Sequence, residues 1–320
     1  MSDIKVAAYP VKRGLMFKCG VLVGVLGVLA FAKPGYSAVN AVAGLANPME
    51  NIGTGARAMG MGSAYVGVAD DATALLWNPA GLADLKNTEL EWDSNLWLAG
   101  IVQETALLGL PLGSLGGLGA SINYINFGTL AGYDANGNQT GNYSANEYGF
   151  DLGWGMDVLS GLSCGVTLKG NMQSIGSTNY SDLAVDLGAL WSPFPDLRVG
   201  LAYTNLGTTI NGYAEDSGLR PGLSYCLHLS DDNQLLLAGS AAWEPLGVSS
   251  LQAGAEDRIY QLLSLRIGYE HDLADTQIQG VSGLTAGLGV LVAGINLDYA
   301  YLPFGDLGAV NWITLGYKFE

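Results

Sequence analysis

The chain has 320 residues, with 13 Lys plus Arg against 29 Asp plus Glu, a formal net charge of −16 and three cysteines. So acidic a chain excludes nucleic-acid binding, which needs basic contacts to phosphate. Charged residues make up only 13% and hydrophobic residues 49%, so much apolar surface must be buried or turned toward lipid.

The first element is a leader. Lys5, Lys12, Arg13 and Lys18 precede an uncharged run from Cys19 to Ala32, and small residues follow at Ser37, Ala38, Ala41 and Ala43. Basic, then apolar, then small is the layout of a secretory signal peptide. The apolar run has 14 residues, short of the ~20 that a spanning helix needs. The leader is expected over 1–41, with cleavage between about 37 and 43; Val39-Asn40-Ala41 and Ala41-Val42-Ala43 both fit the cleavage pattern. Beyond it remain 8 bases and 28 acids, a net charge of −20. Two cysteines remain, Cys164 and Cys226; both sit in strand-like runs and make no disulfide framework.

Residues 42–87 form the second segment. Asp70 or Asp71 is placed to cap a short helix running through Leu76, and Asn78-Pro79-Ala80-Gly81 then turns the chain. Gly53, Gly55, Gly60 and Gly62 do not make a phosphate loop, because no Gly-Lys-Ser/Thr follows. No cofactor is expected.

From Thr88 to the end, 88–320, the pattern changes to period-2 alternation, the signature of strands with two different faces. Tyr148, Phe150, Leu152, Trp154 and Met156 alternate with Glu147, Gly149, Asp151, Gly153, Gly155 and Asp157. Leu197, Val199, Leu201 and Tyr203 oppose Arg198, Gly200, Ala202 and Thr204; Leu263, Leu265, Ile267 and Tyr269 oppose Ser264, Arg266, Gly268 and Glu270. Trp191, Tyr203, Tyr269 and Tyr301 lie near segment ends, where an interfacial aromatic girdle belongs. About fourteen segments are expected, near 88–99, 101–110, 115–127, 147–157, 162–175, 182–192, 196–206, 218–229, 233–243, 249–257, 261–271, 281–290, 292–302 and 309–319. A soluble β-sandwich also alternates. Its solvated face would carry Thr and Ser, whereas here that face carries Gly, Asp, Arg and Lys, as a crowded lumen would. Apolar content without spanning helices leaves a closed transmembrane β-barrel, since only helices and closed barrels satisfy the backbone in lipid.

The longest polar insertions, 131–145, 208–218 and 272–280, all fall after odd-numbered segments, so with a periplasmic N-terminus they are external loops. Asp151, Lys169, Asp182, Asp186, Arg198, Arg266, Glu270, Asp298 and Lys318 take the inward register. They are expected either to form pairs that hold wall and plug together or to mark a polar track for solute, and Arg57 is placed to pair with the acidic wall. His228 and His271 are the only histidines, without a serine in a nucleophile context or metal-ligand spacing. An enzyme, for instance a lipid-modifying barrel, is therefore the weakest reading.

The run Gly55-Ala-Arg-Ala-Met-Gly-Met-Gly-Ser-Ala-Tyr-Val, then Ala69-Asp-Asp-Ala-Thr-Ala, then Trp77-Asn-Pro-Ala-Gly-Leu closely resembles the N-terminal signature of the PorV/PorQ family of FadL-like outer-membrane proteins. Ser264–Tyr269, Ser282–Gly289 and Leu297–Gly308 are also similar to that family. The resemblance implies an antiparallel barrel of about 14 strands with an N-terminal plug folded into the lumen. Arg57, Asp70, Asp71, Trp77, Asn78, Pro79 and Ala80 would belong to that plug or hatch. The terminal Tyr317 and Phe319 resemble the signal read by the barrel-assembly machinery, with Glu320 as a departure after the final aromatic. The resemblance also implies the bacterial outer membrane, with its lipid as a partner. Two functions follow from it: a plugged conduit for hydrophobic small molecules, or a type IX secretion adaptor that holds exported protein cargo at the cell surface.

Overall fold

A computed structural model describes residues 52–207, 217–245, 247–274 and 279–319. The expected leader, the start of the plug segment and Glu320 lie outside the described residues, as do parts of the loops near 208–216 and 275–278.

Fourteen strands close into one antiparallel barrel in sequence order. They are β1 Thr88–Leu96, β2 Val102–Pro111, β3 Gly117–Tyr133, β4 Gln139–Leu159, β5 Leu162–Ile175, β6 Thr178–Phe194 and β7 Leu197–Gly207. The second half is β8 Gly218–Ser230, β9 Asn233–Ala242, β10 Ser250–Ile259, β11 Leu263–Asp272, β12 Leu284–Val292, β13 Ile295–Pro303 and β14 Ala309–Phe319. β14 pairs with β1 from Thr88↔Phe319 to Leu96↔Asn311, so no sheet edge is left open.

Alternation in the sequence becomes two walls. Phe150, Leu152, Leu183, Ile267 and Leu315 face outward and are exposed, while Asp151, Asp186, Arg266, Asp298 and Thr314 face inward and are buried. An apolar outer band around a closed cylinder is what lipid requires, and it places the protein in the bacterial outer membrane. Trp191 and Phe194 face outward at one end of the band; Tyr269 and Tyr301 do so at the other.

The wall is uneven. β3, β4 and β6 have 17, 21 and 17 residues, whereas β9 to β13 have 9 or 10. About 9–11 residues cross the hydrocarbon layer, so β3 and β4 project well beyond it. This corrects the expected loop at 131–145. The ladder continues to Tyr133↔Gln139, with register shifts after Asn126 and Gly132, and only the 134–138 turn closes the hairpin. There the Asp134 carboxylate accepts from the Asn136 and Asn138 N–H groups, and these bonds together with the Asn138 side-chain amide hold it below the usual carboxylate range. Asn and Thr pair across strands as readily as they fill a loop, so polarity marked the end of the membrane rather than the end of the sheet. β12 and β13 begin three residues later than expected. Ala293 and Gly294 both have positive φ, 49° and 79°, and turn the chain tightly between them.

Residues 52–87 lie inside the barrel as a plug. Its elements are short: α1 Ala56–Gly60, α2 Ala74–Trp77 and a 3-10 turn Pro79–Asp84. Ala56, Met61, Tyr65, Val68, Leu75 and Leu82 are fully buried and make the molecule's core with Val310 and Trp312 of the wall. α2 is not capped by Asp70 or Asp71 as expected. Thr73 takes the N-cap position, and the Asp71 carboxylate accepts from the Thr73 N–H at 3.1 Å and its hydroxyl at 2.5 Å. Asn78 instead caps the 3-10 turn, accepting from the Ala80 N–H, with Pro79 at the first position where its missing N–H costs nothing.

Candidate functional site

Arg57, on α1, is the hub of the plug. Its Nη1 donates to Asp70 at 2.6 Å, to Asp71 at 2.8 Å and to the Tyr65 hydroxyl at 2.6 Å; its Nε donates to Glu256 of β10 at 2.9 Å. Tyr65 in turn donates to Asp71 at 2.5 Å. Glu256 also accepts from Arg258 and from Arg266, and Arg266 reaches Asp298 on β13. Burial works against the Arg57 charge, but Asp70 and Glu256 outweigh it and hold the guanidinium proton more tightly than usual. Burial also pushes Asp70 up; Arg57 and Arg258 overcome it and leave the carboxyl well below the ordinary range. The Tyr65 hydroxyl is pushed up, mainly by burial.

Other wall groups bind the plug backbone, whose short helices leave many N–H and C=O groups unpaired. Asp93 accepts from the Gly55 N–H at 3.0 Å and from Thr314, which accepts from the Ala56 N–H at 2.8 Å. Glu89 accepts from the Ala72 N–H at 3.0 Å and from Lys318 at 2.7 Å. Arg198 donates to the Val68 carbonyl and to Asp84, each at 2.5 Å. The Asn78 amide donates to the Val66 and Ala189 carbonyls, and Trp77 Nε1 to the Thr54 carbonyl. Pro79 and Ala80 press on glycines of the wall: a Cβ at Gly165 would lie 2.2 Å from the Pro79 carbonyl carbon.

The structure therefore gathers Arg57, Asp70, Asp71, Arg266 and Asp298 into one node, sets Arg198 against another part of the plug, and pairs Lys318 with Glu89 of the wall, which in turn holds the Ala72 N–H. Lys169, Asp182 and Asp186 do not join it. Lys169 lies 2.7 Å from Asn205 and 3.4 Å from Asp186, while Asn171 donates to Asp182. Asp151 accepts from Ser121 and Asn123, and Glu270 from Ser63, Ser250 and Gln252. Glu89, Asp93, Glu256 and Arg258 were missed in the sequence. For Glu89 and Asp93 the strand carried the signal: Leu90 and Trp92 alternate with Glu89, Glu91 and Asp93. Tyr317 and Phe319 face outward with rings edge to face, centroids 4.7 Å apart. Among the described residues, Cys164 and Cys226 form no disulfide.

Above the plug, toward the end with the long loops, lies a cavity of about 360 Å³. One side is apolar, with Met59, Trp77, Trp97, Leu302 and Phe304; the other is polar, with Asp151, Lys169, Arg220, Glu244 and Glu270. Trp97 packs edge to face on Phe304 and on Trp312 at 5.3 and 5.4 Å. A smaller cavity of about 130 Å³ lies on the plug's other side, bordered by Val68, Asp70, Arg198, Cys226, Leu236 and Arg258. His228 sits near that end, 3.5 Å from Asp196, and His271 stacks on Tyr269 on the outer face.

No family model matches the chain, and no curated protein sequence does. Solved structures do. The Ralstonia pickettii toluene transporter TbuX matches at 13% identity and TM-score 0.60, over 84% of this chain and 99% of its own. The Pseudomonas putida toluene transporter TodX matches at 12% identity and TM-score 0.56, over 83% and 98%. A Pseudomonas aeruginosa FadL homologue matches at 11% identity and TM-score 0.54, over 83% and 98%. At such identity the likeness is one of fold: the chain is a plugged fourteen-strand barrel of FadL-like architecture.

Proposed function

We propose that this protein is a non-enzymatic conduit for hydrophobic small molecules across the outer membrane. The observation that carries the reading is the outer cavity, with an aromatic side seated directly on the plug. Such a pocket is of the size that takes small ligands, and its apolar side would bury them while the polar side keeps the mouth wet. The similar barrels include toluene transporters and a monoaromatic hydrocarbon channel, and a comparable uncharged aromatic fits the Trp77, Trp97 and Phe304 surface by stacking. The inward charges then serve chiefly to fix the plug, as the pairs at Arg57, Arg198 and Lys318 suggest.

The test is co-purification. Protein extracted in mild detergent from cells grown with an aromatic hydrocarbon is expected to carry that compound, read by mass spectrometry. Ala242→Trp, which fills the cavity from β9, is expected to carry far less. Equal or no ligand in both would end the conduit reading. The secretion-adaptor reading of the PorV/PorQ-like motifs has one observation in its favour: the β3–β4 hairpin stands above the membrane, where cargo could be held.

A further inference from the structure

The layer of plug between the two cavities is not equally thick around the barrel. On β9 the inward side chains run Gln234, Leu236, Ala238, Ser240 and Ala242 from the periplasmic end outward. Gln234 and Leu236 border the lower cavity; Ser240 and Ala242 border the outer one. Ala238 alone separates them on this strand. β8 repeats the pattern: Arg220 borders the outer cavity, Ser224 and Cys226 the lower, and Gly222 lies between. So does the plug, where Val66 borders the outer cavity, Val68 the lower, and Gly67 lies between. Leu236 to Ser240 is a step of only ~13 Å along a strand.

The septum is thus one residue deep and built from Gly67, Gly222 and Ala238. Its two sides are held differently. Toward β7 and β8 the Ser224 hydroxyl donates to the Gly67 carbonyl at 2.7 Å, and Arg198 holds Val68. A Cβ at Gly67 would lie 2.7 Å from Leu223 backbone, so that side is closed by direct backbone contact. Toward β9, among the described residues, Val68 and Ala238 share only the apolar core, with Leu236 packed against it. Elsewhere the plug is thick and pinned: α1 is fixed through the Arg57 node, and the Pro79–Asp84 turn fills glycine-lined wall on β4 to β6.

We propose, resting on the conduit reading above, that the passage opens between the Val66–Val68 segment of the plug and Ala238 on β9, by local parting of apolar contacts while the body of the plug stays in place. Parting dispersion contacts over one residue costs far less than breaking the buried ion pairs that hold α1. Ala238 and Leu236 then set the width of the passage.

The test is uptake of 1-N-phenylnaphthylamine, an uncharged aromatic fluorophore, by cells bearing the full-length protein. Ala238→Trp is expected to lower the protein-dependent rate about tenfold, and Leu236→Ala to raise it several-fold. A tether supplies the other arm. A Cβ at Gly60 would lie 3.6 Å from the Ala300 Cβ, inside the ~3.5–4.5 Å range of a disulfide. Gly60→Cys with Ala300→Cys, with Cys19, Cys164 and Cys226 replaced by Ser, locks α1 to β13. The oxidised tether is expected to leave uptake unchanged. Heat-modifiable gel mobility checks that each variant is a folded barrel. If uptake survives Ala238→Trp and Leu236→Ala unaltered, or stops on oxidation of the tether and returns on reduction, the route is wrong and the conduit stands. If the parent protein gives no uptake above empty vector, the conduit itself falls for uncharged aromatics, and the route with it.

Discussion

Arg57 is the residue on which the plug turns. Its side chain is 13% exposed and it answers two plug carboxylates and one wall carboxylate at once. Removing one partner of a buried pair costs roughly 3–5 kcal/mol, because the other charges stay buried without it. Arg57→Glu adds a fourth carboxylate there and is expected to free the plug, giving larger single-channel currents in planar bilayers; unchanged currents would show that other contacts suffice. The pH response separates charge from shape. Asp70 is held below its ordinary value, so its contribution is present above the unfolded pKa of ~3.9 and disappears only as pH falls through the depressed folded value. The Arg57–Asp70 contact of the parent protein is therefore expected to hold from neutrality to about pH 4, and by itself gives the parent currents no pH response over that range. In Arg57→Gln the buried Asp70 carboxylate loses its nearest cation, and its protonation on acidification over the same range relieves the repulsion left behind, so its currents are expected to fall. Arg57 itself was legible as a basic residue in an acidic plug. Its partner Glu256 was not, because β10 reads Ser-Leu-Gln-Ala-Gly-Ala-Glu-Asp-Arg, where small residues on both faces hide the alternation.

At the scale of elements, the plug is short of regular structure and rich in shape matching. α1 has five residues and α2 four, too short to be stable alone. They hold because the wall is carved for them. A Cβ at Gly268 would lie 2.1 Å from the Gly62 nitrogen, and one at Gly254 2.3 Å from the Met61 carbonyl oxygen. No flexible side chain can yield there, since the obstacles are backbone. Gly268→Val is therefore expected to push the α1 region out of the lumen while β11 still pairs with β10 and β12. Limited proteolysis should then cut near Arg57 in the variant and spare the parent, with heat-modifiable mobility kept in both. The strands were legible from alternation because lipid on one side and a filled lumen on the other enforce it. The glycine slots were not: glycine on an inward face reads as mere permissiveness until the plug that fills it is in place.

On the scale of the whole molecule, the uneven rim divides the two functional readings. Strand count and closure could be read from the sequence, since each span is an apolar-alternating stretch of about ten residues. The height of β3, β4 and β6 could not, because strand continued into residues that looked like loop, whereas β5 runs over the expected 162–175. That projecting ladder takes no part in the septum, the Arg57 node or the apolar side of the outer cavity. Trimming it, by joining Asn126 to Asn146 through an Asn-Gly turn, keeps the pairing below the register shift and gives a tight hairpin its preferred residues. The trimmed protein is expected to fold into a heat-modifiable barrel and to take up 1-N-phenylnaphthylamine within about twofold of the parent, a difference of under ~0.5 kcal/mol. An adaptor would behave differently, since its work would sit on the external surface just removed. Pull-down of secreted proteins from the parent cells, lost on trimming while uptake persists, would assign cargo holding to the hairpin. Loss of uptake on trimming, in a barrel still shown to be folded, would mean that the rim captures solute for the cavity below and that entry begins on the tall side of the wall.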